Sequence, residues 1–171
     1  MRDDDEDFDG GSKRGRERPR DKTPPLEKLK PMVIDYLNSR FGLDEGIFEG
    51  YGFYLASKGR VYLGPKRTID RPRIVTVGLL IARVTDAVKP STNLLQAMGR
   101  LIKKNRIELT KEQTLSYAKG EDVMFKEAPK GATEGYVLLS YLENPLGCGH
   151  LKNKTIKNML PKAKRLEIKH L

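Results

Sequence analysis

Apolar and polar residues alternate with two different periods along this chain. Over 26–41, LEKLKPMVIDYLNSRF sets Val33, Tyr36, Leu37 and Phe41 on one helical face, with Pro31 suited to a first turn and Gly42 to the end. LDEGIFEG reads as a short helical turn opened by Asp44. GFYLAS and RVYLG then flank Lys58-Gly59, the spacing of a tight β-hairpin. IVTVGLLIARV, rich in β-branched residues, predicts a strand over 74–84. Ser91 caps a helix TNLLQAM that stops at Gly99, RIEL is a short strand, and Thr110 with Gln113 forms a capping box for KEQTLSYAK, closed by Gly120. EDVMF, GYVLLSYL, LGCGHL and KRLEIKHL are further strands between Pro and Gly turns. Strands dominate, broken by two short helices. The fold class predicted is α+β: a small helix–hairpin unit, then a mixed β-barrel with short helices, rather than alternating βαβ units.

Residues 1–25 break this pattern. They hold an acidic block, a glycine pair, an Arg-rich block and three prolines, with Phe8 the one aromatic. Such a segment cannot bury enough apolar surface to offset its ordering entropy, which predicts a disordered charged tail. The organisation expected is therefore a tail over 1–25, a helix-plus-hairpin unit over 26–73 and a barrel domain over 74–171.

Composition changes the picture through charge. The chain of 171 residues carries a net charge of +10. Residues 1–30 hold nine basic and nine acidic residues, whereas 31–171 hold 24 basic against 14 acidic, so the excess sits in the folded body. A basic body favours a polyanion. No apolar run reaches the roughly 20 residues of a membrane span, and one cysteine permits no intrachain disulfide, which together predict a cytoplasmic protein with no membrane partner.

Candidate chemistry gathers in ENPLGCGHLKNKTIKNMLPKAKRLEI. Cys148 and His150 share a face if this is a strand, yet no acid is placed to orient the histidine, so nucleophilic catalysis has little support. One cysteine and two histidines cannot make a four-ligand zinc site, and no metal or cofactor is expected. Gly147-Cys148-Gly149 lacks the rest of a phosphate-binding glycine motif; glycines alternating in a strand mark a bulge or a close backbone approach. What remains is charge. Lys152, Lys154, Lys157, Lys162, Lys164 and Arg165 stand with Asn153 and Asn158 as neutral donors, and Arg100, Lys103, Lys104 and Arg106 form a second cluster. PKRTIDRPR is a third. With no helix-turn-helix and no zinc finger, RNA is preferred to duplex DNA, with Tyr51, Phe53, Tyr54, Tyr62, Tyr117, Tyr136 and Tyr141 as the aromatics open to stacking or core packing.

KPSTNLLQAMG, LTKEQTLSYAKGEDV and GYVLLSYLENPLGCGHLKNKTIKNMLPKAKRL, in that order, resemble the PUA-like RNA-binding domain of RsmF-type RNA cytosine-5 methyltransferases of the Nop/Sun group. The family's pattern of a Pro-Leu-Gly turn, a second Gly, a Lys-Asn pair and a Leu-Pro-Lys stretch falls on Pro145-Leu146-Gly147, Gly149, Lys157-Asn158 and Leu160-Pro161-Lys162. The resemblance covers about 75–170, and RFGLDEGIFEGYGFYLASKGRVYL is similar to the segment preceding that domain. It implies a PUA-like barrel over 74–171. The glycine-rich S-adenosylmethionine site and the paired catalytic cysteines of those enzymes have no counterpart here, and the family often places an aromatic at Cys148. The layout is also similar to small ribosome-biogenesis factors of the Nip type. These resemblances imply a free-standing, non-enzymatic RNA-binding protein acting on rRNA or tRNA in ribosome biogenesis or RNA modification. Its partners would be RNA and a separate methyltransferase or pre-ribosomal particle. The alternative is an adaptor that docks such a methyltransferase and touches RNA only weakly.

Overall fold

A computed structural model describes residues 24–67 and 78–166. All but the last two residues of the expected tail, the 73/74 boundary, and 74–77 and 167–171 of the expected strands lie outside the described residues.

Helix α1 spans Leu26–Phe41 and buries Leu29, Val33, Ile34, Leu37 and Phe41, a stripe at the spacing read from the sequence. Gly42 ends it in the left-handed region (φ 66°), its N–H returning to the Asn38 carbonyl at 2.8 Å. Pro31 lies beyond the first turn, a full turn deeper than expected, on the exposed side where solvent reaches the carbonyl it leaves unbonded. A 3₁₀ turn, Glu45–Phe48, follows, with the Asp44 carboxylate accepting from the Gly46 N–H.

The first sheet is antiparallel throughout, in the order β1 (Tyr51–Ala56), β2 (Arg60–Pro65), β3 (Leu79–Val84), β4 (Val88–Pro90). The β1–β2 connection is Ser57–Gly59, with Lys58 and Gly59 both at positive φ. The short strand β4 was not anticipated. Helix α2 (Thr92–Met98) starts at Ser91, whose hydroxyl accepts from the Leu94 N–H. The α-helix ends at Met98 with Gly99 as its C-cap, as expected, though this glycine does not turn left-handed. It stays right-handed and leads into a 3₁₀ turn, Gly99–Leu101, packed so close to Pro145 that a Cβ would collide with that ring.

The second sheet runs β5 (Arg106–Glu108), β7 (Gly135–Tyr141), β8 (Asn144–Lys152), β9 (Thr155–Asn158), β6 (Val123–Met124), and curls into a half-barrel. β5 and β7 are parallel, and the other pairs antiparallel. Helix α3 (Lys111–Lys119) carries the expected capping box between Thr110 and Gln113. This is an α+β fold with a PUA-like barrel.

The second sheet is a middle layer. One face places Leu138 and Cys148 in a core shared with α1, α2 and the first sheet; the other places Val137, Leu139, Leu151 and Ile156 against Tyr117 of α3. Each fully buried Leu or Ile contributes about 1.5–3 kcal/mol. Polar contacts fix the layers' alignment. Arg40 of α1 donates from Nε to the Tyr136 carbonyl (2.7 Å) and from Nη2 to the Thr133 carbonyl (2.7 Å). Buried Asn105, at φ 54°, donates to the Arg40 carbonyl and accepts from the Thr133 N–H.

Three local expectations change. Pro145-Leu146-Gly147 is not a turn but the start of β8; the turn is Leu142-Glu143, both at positive φ. Leu146 is the extra residue of a bulge, since Leu139 pairs with Gly147 and Ser140 with Pro145. At Gly147 (φ 151°) a Cβ would meet the Tyr117 hydroxyl at 2.7 Å, so this glycine is a close-approach site, as the alternating glycines suggested. The described part of KRLEIKHL is no strand, because Lys162–Lys164 is a 3₁₀ turn. The strand in this region is β9, inside the lysine run.

Candidate nucleic-acid interface

The candidate residues fall into four places. Lys152, Asn153, Lys154 and Lys157 lie on the β8–β9 hairpin, where His150, Lys152, Asn153, Thr155 and Lys157 line a shallow hollow of about 310 Å³. Lys162, Lys164 and Arg165 lie in and beside the last 3₁₀ turn. Arg100 and Arg106 line a second hollow, about 520 Å³, at the β7–β8 turn. Lys103 and Lys104 sit against the end of α1, both backbone N–H groups donating to the Phe41 carbonyl.

The first and third places are at opposite ends of β8. From Asn144 to Lys152 is eight residues, roughly 26 Å at about 3.3 Å each. The structure therefore does not bring the two clusters into one site.

Several of these side chains already have work inside the protein. Arg106 donates from Nη2 to the Glu143 carbonyl (2.7 Å) and from Nε to Ser140 Oγ (3.1 Å), bracing the β7–β8 turn. Lys154 Nζ holds the Lys126 carbonyl at 3.0 Å, and half-buried Arg165 donates to the Leu160 carbonyl. Lys164 Nζ bonds Asn93 Oδ1 and Gln96 Oε1, both neutral, so its charge is not cancelled. Lys152, Lys157 and Lys162 are exposed, and their ammonium groups bond no described residue.

Asn158 is a correction. It is 8% exposed and its side chain is saturated. Its Nδ2 donates to the carbonyls of Tyr117 (2.7 Å) and Glu121 (2.9 Å), while its Oδ1 accepts from the Leu160 N–H (2.8 Å). Its side-chain polar atoms are all engaged inside the protein, where they brace the end of β9 against the end of α3. On β9 it alternates with Lys157, which puts the two on opposite faces.

The registers assemble a face that charge counting missed. Tyr136, His150 and Lys157 are direct partners across β7, β8 and β9, so they stand side by side. The Tyr136 and His150 rings meet edge to face, centroids 4.8 Å apart. Lys152 and Thr155 extend the row outward. An aromatic pair beside solvent-facing lysines can stack an unpaired base and hold its phosphate.

Cys148 lies on the same face, one step inward, and is 1% exposed. Burial pushes its thiol up to about 12, the opposite of what a nucleophile needs. Below about pH 10 the thiol stays protonated and shielded. A thiol-reactive disulfide reagent at pH 8 is expected to leave the folded chain unlabelled and to label its single cysteine after denaturation. Rapid labelling of the native chain would contradict this burial. Among the described residues no group of three or more His, Cys, Asp or Glu is placed to hold a metal ion, and no helix is long and apolar enough to cross a membrane.

Comparison with known proteins agrees with this architecture. Residues 104–166 match the family described as Methyltransferase RsmF PUA domain. The ribosomal RNA small subunit methyltransferase F of Shewanella pealeana is 36% identical over 96 residues, 55% of this chain and 18% of that protein. Its counterpart from Shewanella halifaxensis is 35% identical over 144 residues, 82% of this chain and 28% of that protein. The chain thus spans less than a third of the length of these relatives. An alignment of 144 residues also reaches well before 104, into the helix–hairpin region. The match to the RsmF PUA family thus falls on the segment that builds the β5–β9 half-barrel.

Proposed function

We propose that this chain binds structured RNA, ribosomal or transfer, and does no chemistry on it. The observation that carries this reading is the row Tyr136–His150–Lys157 of a PUA half-barrel, in which half-buried Tyr136 and His150 stand beside exposed Lys157 and Lys152. The lysines hold phosphates, and the aromatic pair meets an unpaired base at the end of the duplex. The name of the relatives points to ribosomal RNA as the first substrate to test. The absence of chemistry is supported by the one thiol, which is buried and held protonated.

The test is salt dependence. Engagement of roughly four to six phosphates gives a log–log slope of affinity on salt of about −3 to −5, because each neutralised phosphate releases most of a condensed counterion. Lys157→Ala with Lys162→Ala is expected to flatten the slope by about one to two units, measured by titrating labelled ribosomal RNA fragments and tRNA at several salt concentrations. Weak binding with a flat response in both proteins would reject RNA binding and favour an adaptor that docks a separate methyltransferase.

A further inference from the structure

Three cations stand in a row on the first sheet, away from the β8–β9 hairpin. Arg60 pairs with Arg83 across β2 and β3, and Arg83 with Lys89 across β3 and β4. Like charges directly opposite one another weaken a sheet, so the free protein carries this row at a cost in stability. Arg60 turns toward the Ser57 carbonyl and hydroxyl, while the Arg83 and Lys89 side chains are exposed.

Beside them opens a cleft of about 330 Å³ between β3–β4 and the segment after β9. Leu80, Pro90, Met159 and Pro161 give it apolar walls, and no carboxylate is among its lining residues. Asn93 also lines it, and the uncancelled Lys164 ammonium bonds Asn93 Oδ1 at 2.6 Å. An apolar slot with cations at its mouth suits a flat, hydrophobic group that bears a negative charge. Its size sits near the lower end of the roughly 300–1,000 Å³ typical of small-ligand pockets, room for one nucleotide. Met159, which lines the cleft, follows two residues after Lys157 of the basic face.

We propose that this cleft receives one unpaired nucleotide of the RNA held by the β8–β9 face, with its phosphate on Arg83 and Lys89. The inference rests on the RNA-binding reading above, and extends it to a single-stranded continuation of the bound duplex.

The experiment compares an RNA hairpin with a blunt end and the same hairpin carrying a short single-stranded overhang, each titrated against the full chain and against Arg83→Gln/Lys89→Gln. The wild type is expected to bind the overhang about tenfold more tightly, the lower end of what capturing one base contributes. The variant is expected to bind the blunt hairpin as the wild type does and to lose most of the overhang's gain, keeping only what a base stacked on Tyr136 and His150 contributes. Its thermal midpoint should be unchanged or raised, because the like-charge pair is gone. Equal wild-type affinity for the two hairpins would overturn the cleft assignment while leaving RNA binding intact. So would a variant that weakens both hairpins alike, which would make these cations part of a general field, or one that loses a protein partner and no RNA. No binding of either hairpin would overturn both readings.

Discussion

Lys152→Glu together with Lys157→Glu is expected to lower the affinity for structured RNA about 100-fold at 0.1 M salt. Both ammonium groups are exposed and bond no described residue, so neither change disturbs the fold, and stability should move by about 0.5 kcal/mol or less. Each reversal turns an attraction of about 1 kcal/mol at contact distance in water into a repulsion of similar size. The two changes sum to about 4 kcal/mol before screening. A Debye length of about 10 Å at this salt leaves the larger part, about 2.7 kcal/mol for a 100-fold loss. At 1 M salt, where the Debye length is about 3 Å, the difference should nearly vanish. The control is Lys111→Glu with Lys119→Glu on α3, across the sheet from this face; it changes net charge equally and should cost much less. Equal losses from the two pairs would mean that binding follows net charge, and the β8–β9 face would lose its role.

Asn158→Ala should be the costliest of these single changes for the fold. The substitution removes three hydrogen bonds and leaves the buried Leu160 N–H without a partner. The orphaned buried donor costs about 1–3 kcal/mol and each of the other two lost bonds about 1 kcal/mol, for a loss of at least about 3 kcal/mol. In a chain of this size that is about 6–12 °C in thermal midpoint. RNA affinity measured well below the transition should stay within about twofold of wild type, since this side chain faces the interior. A variant of normal stability with lost RNA affinity would restore Asn158 as a contact and remove it as a brace.

The sequence made elements legible where the signal was local. The apolar spacing of α1, the Thr110–Gln113 box and the Lys58-Gly59 hairpin each arise within a few residues, and all are present. β9 was hidden because its pattern, Thr-Ile-Lys-Asn, offers a single apolar residue and reads as part of a lysine run. The turn at Leu142-Glu143 carries no glycine or proline, so the neighbouring Pro145-Leu146-Gly147 drew the assignment instead. Only register could reveal the candidate site. His150 meets Tyr136 and Lys157 through two strand pairings, and Arg83 meets Lys89 across a third, relations that no spacing along one strand encodes. Asn158 failed for a related reason: composition marks it as polar, while burial decides that its polarity is spent inside.

The second sheet's place between two cores limits how this domain can be transplanted. Cut out alone, residues 104–166 would keep Tyr117 and its neighbours on one side of the sheet but expose Leu138 and Cys148 on the other, stripped of α1, α2 and the first sheet. Arg40, which clamps Thr133 and Tyr136, would be lost with α1. A graft into another scaffold would therefore have to bring α1, the first sheet and α2 along, or supply a substitute apolar surface shaped to that face. The unit of exchange is larger than the unit of resemblance.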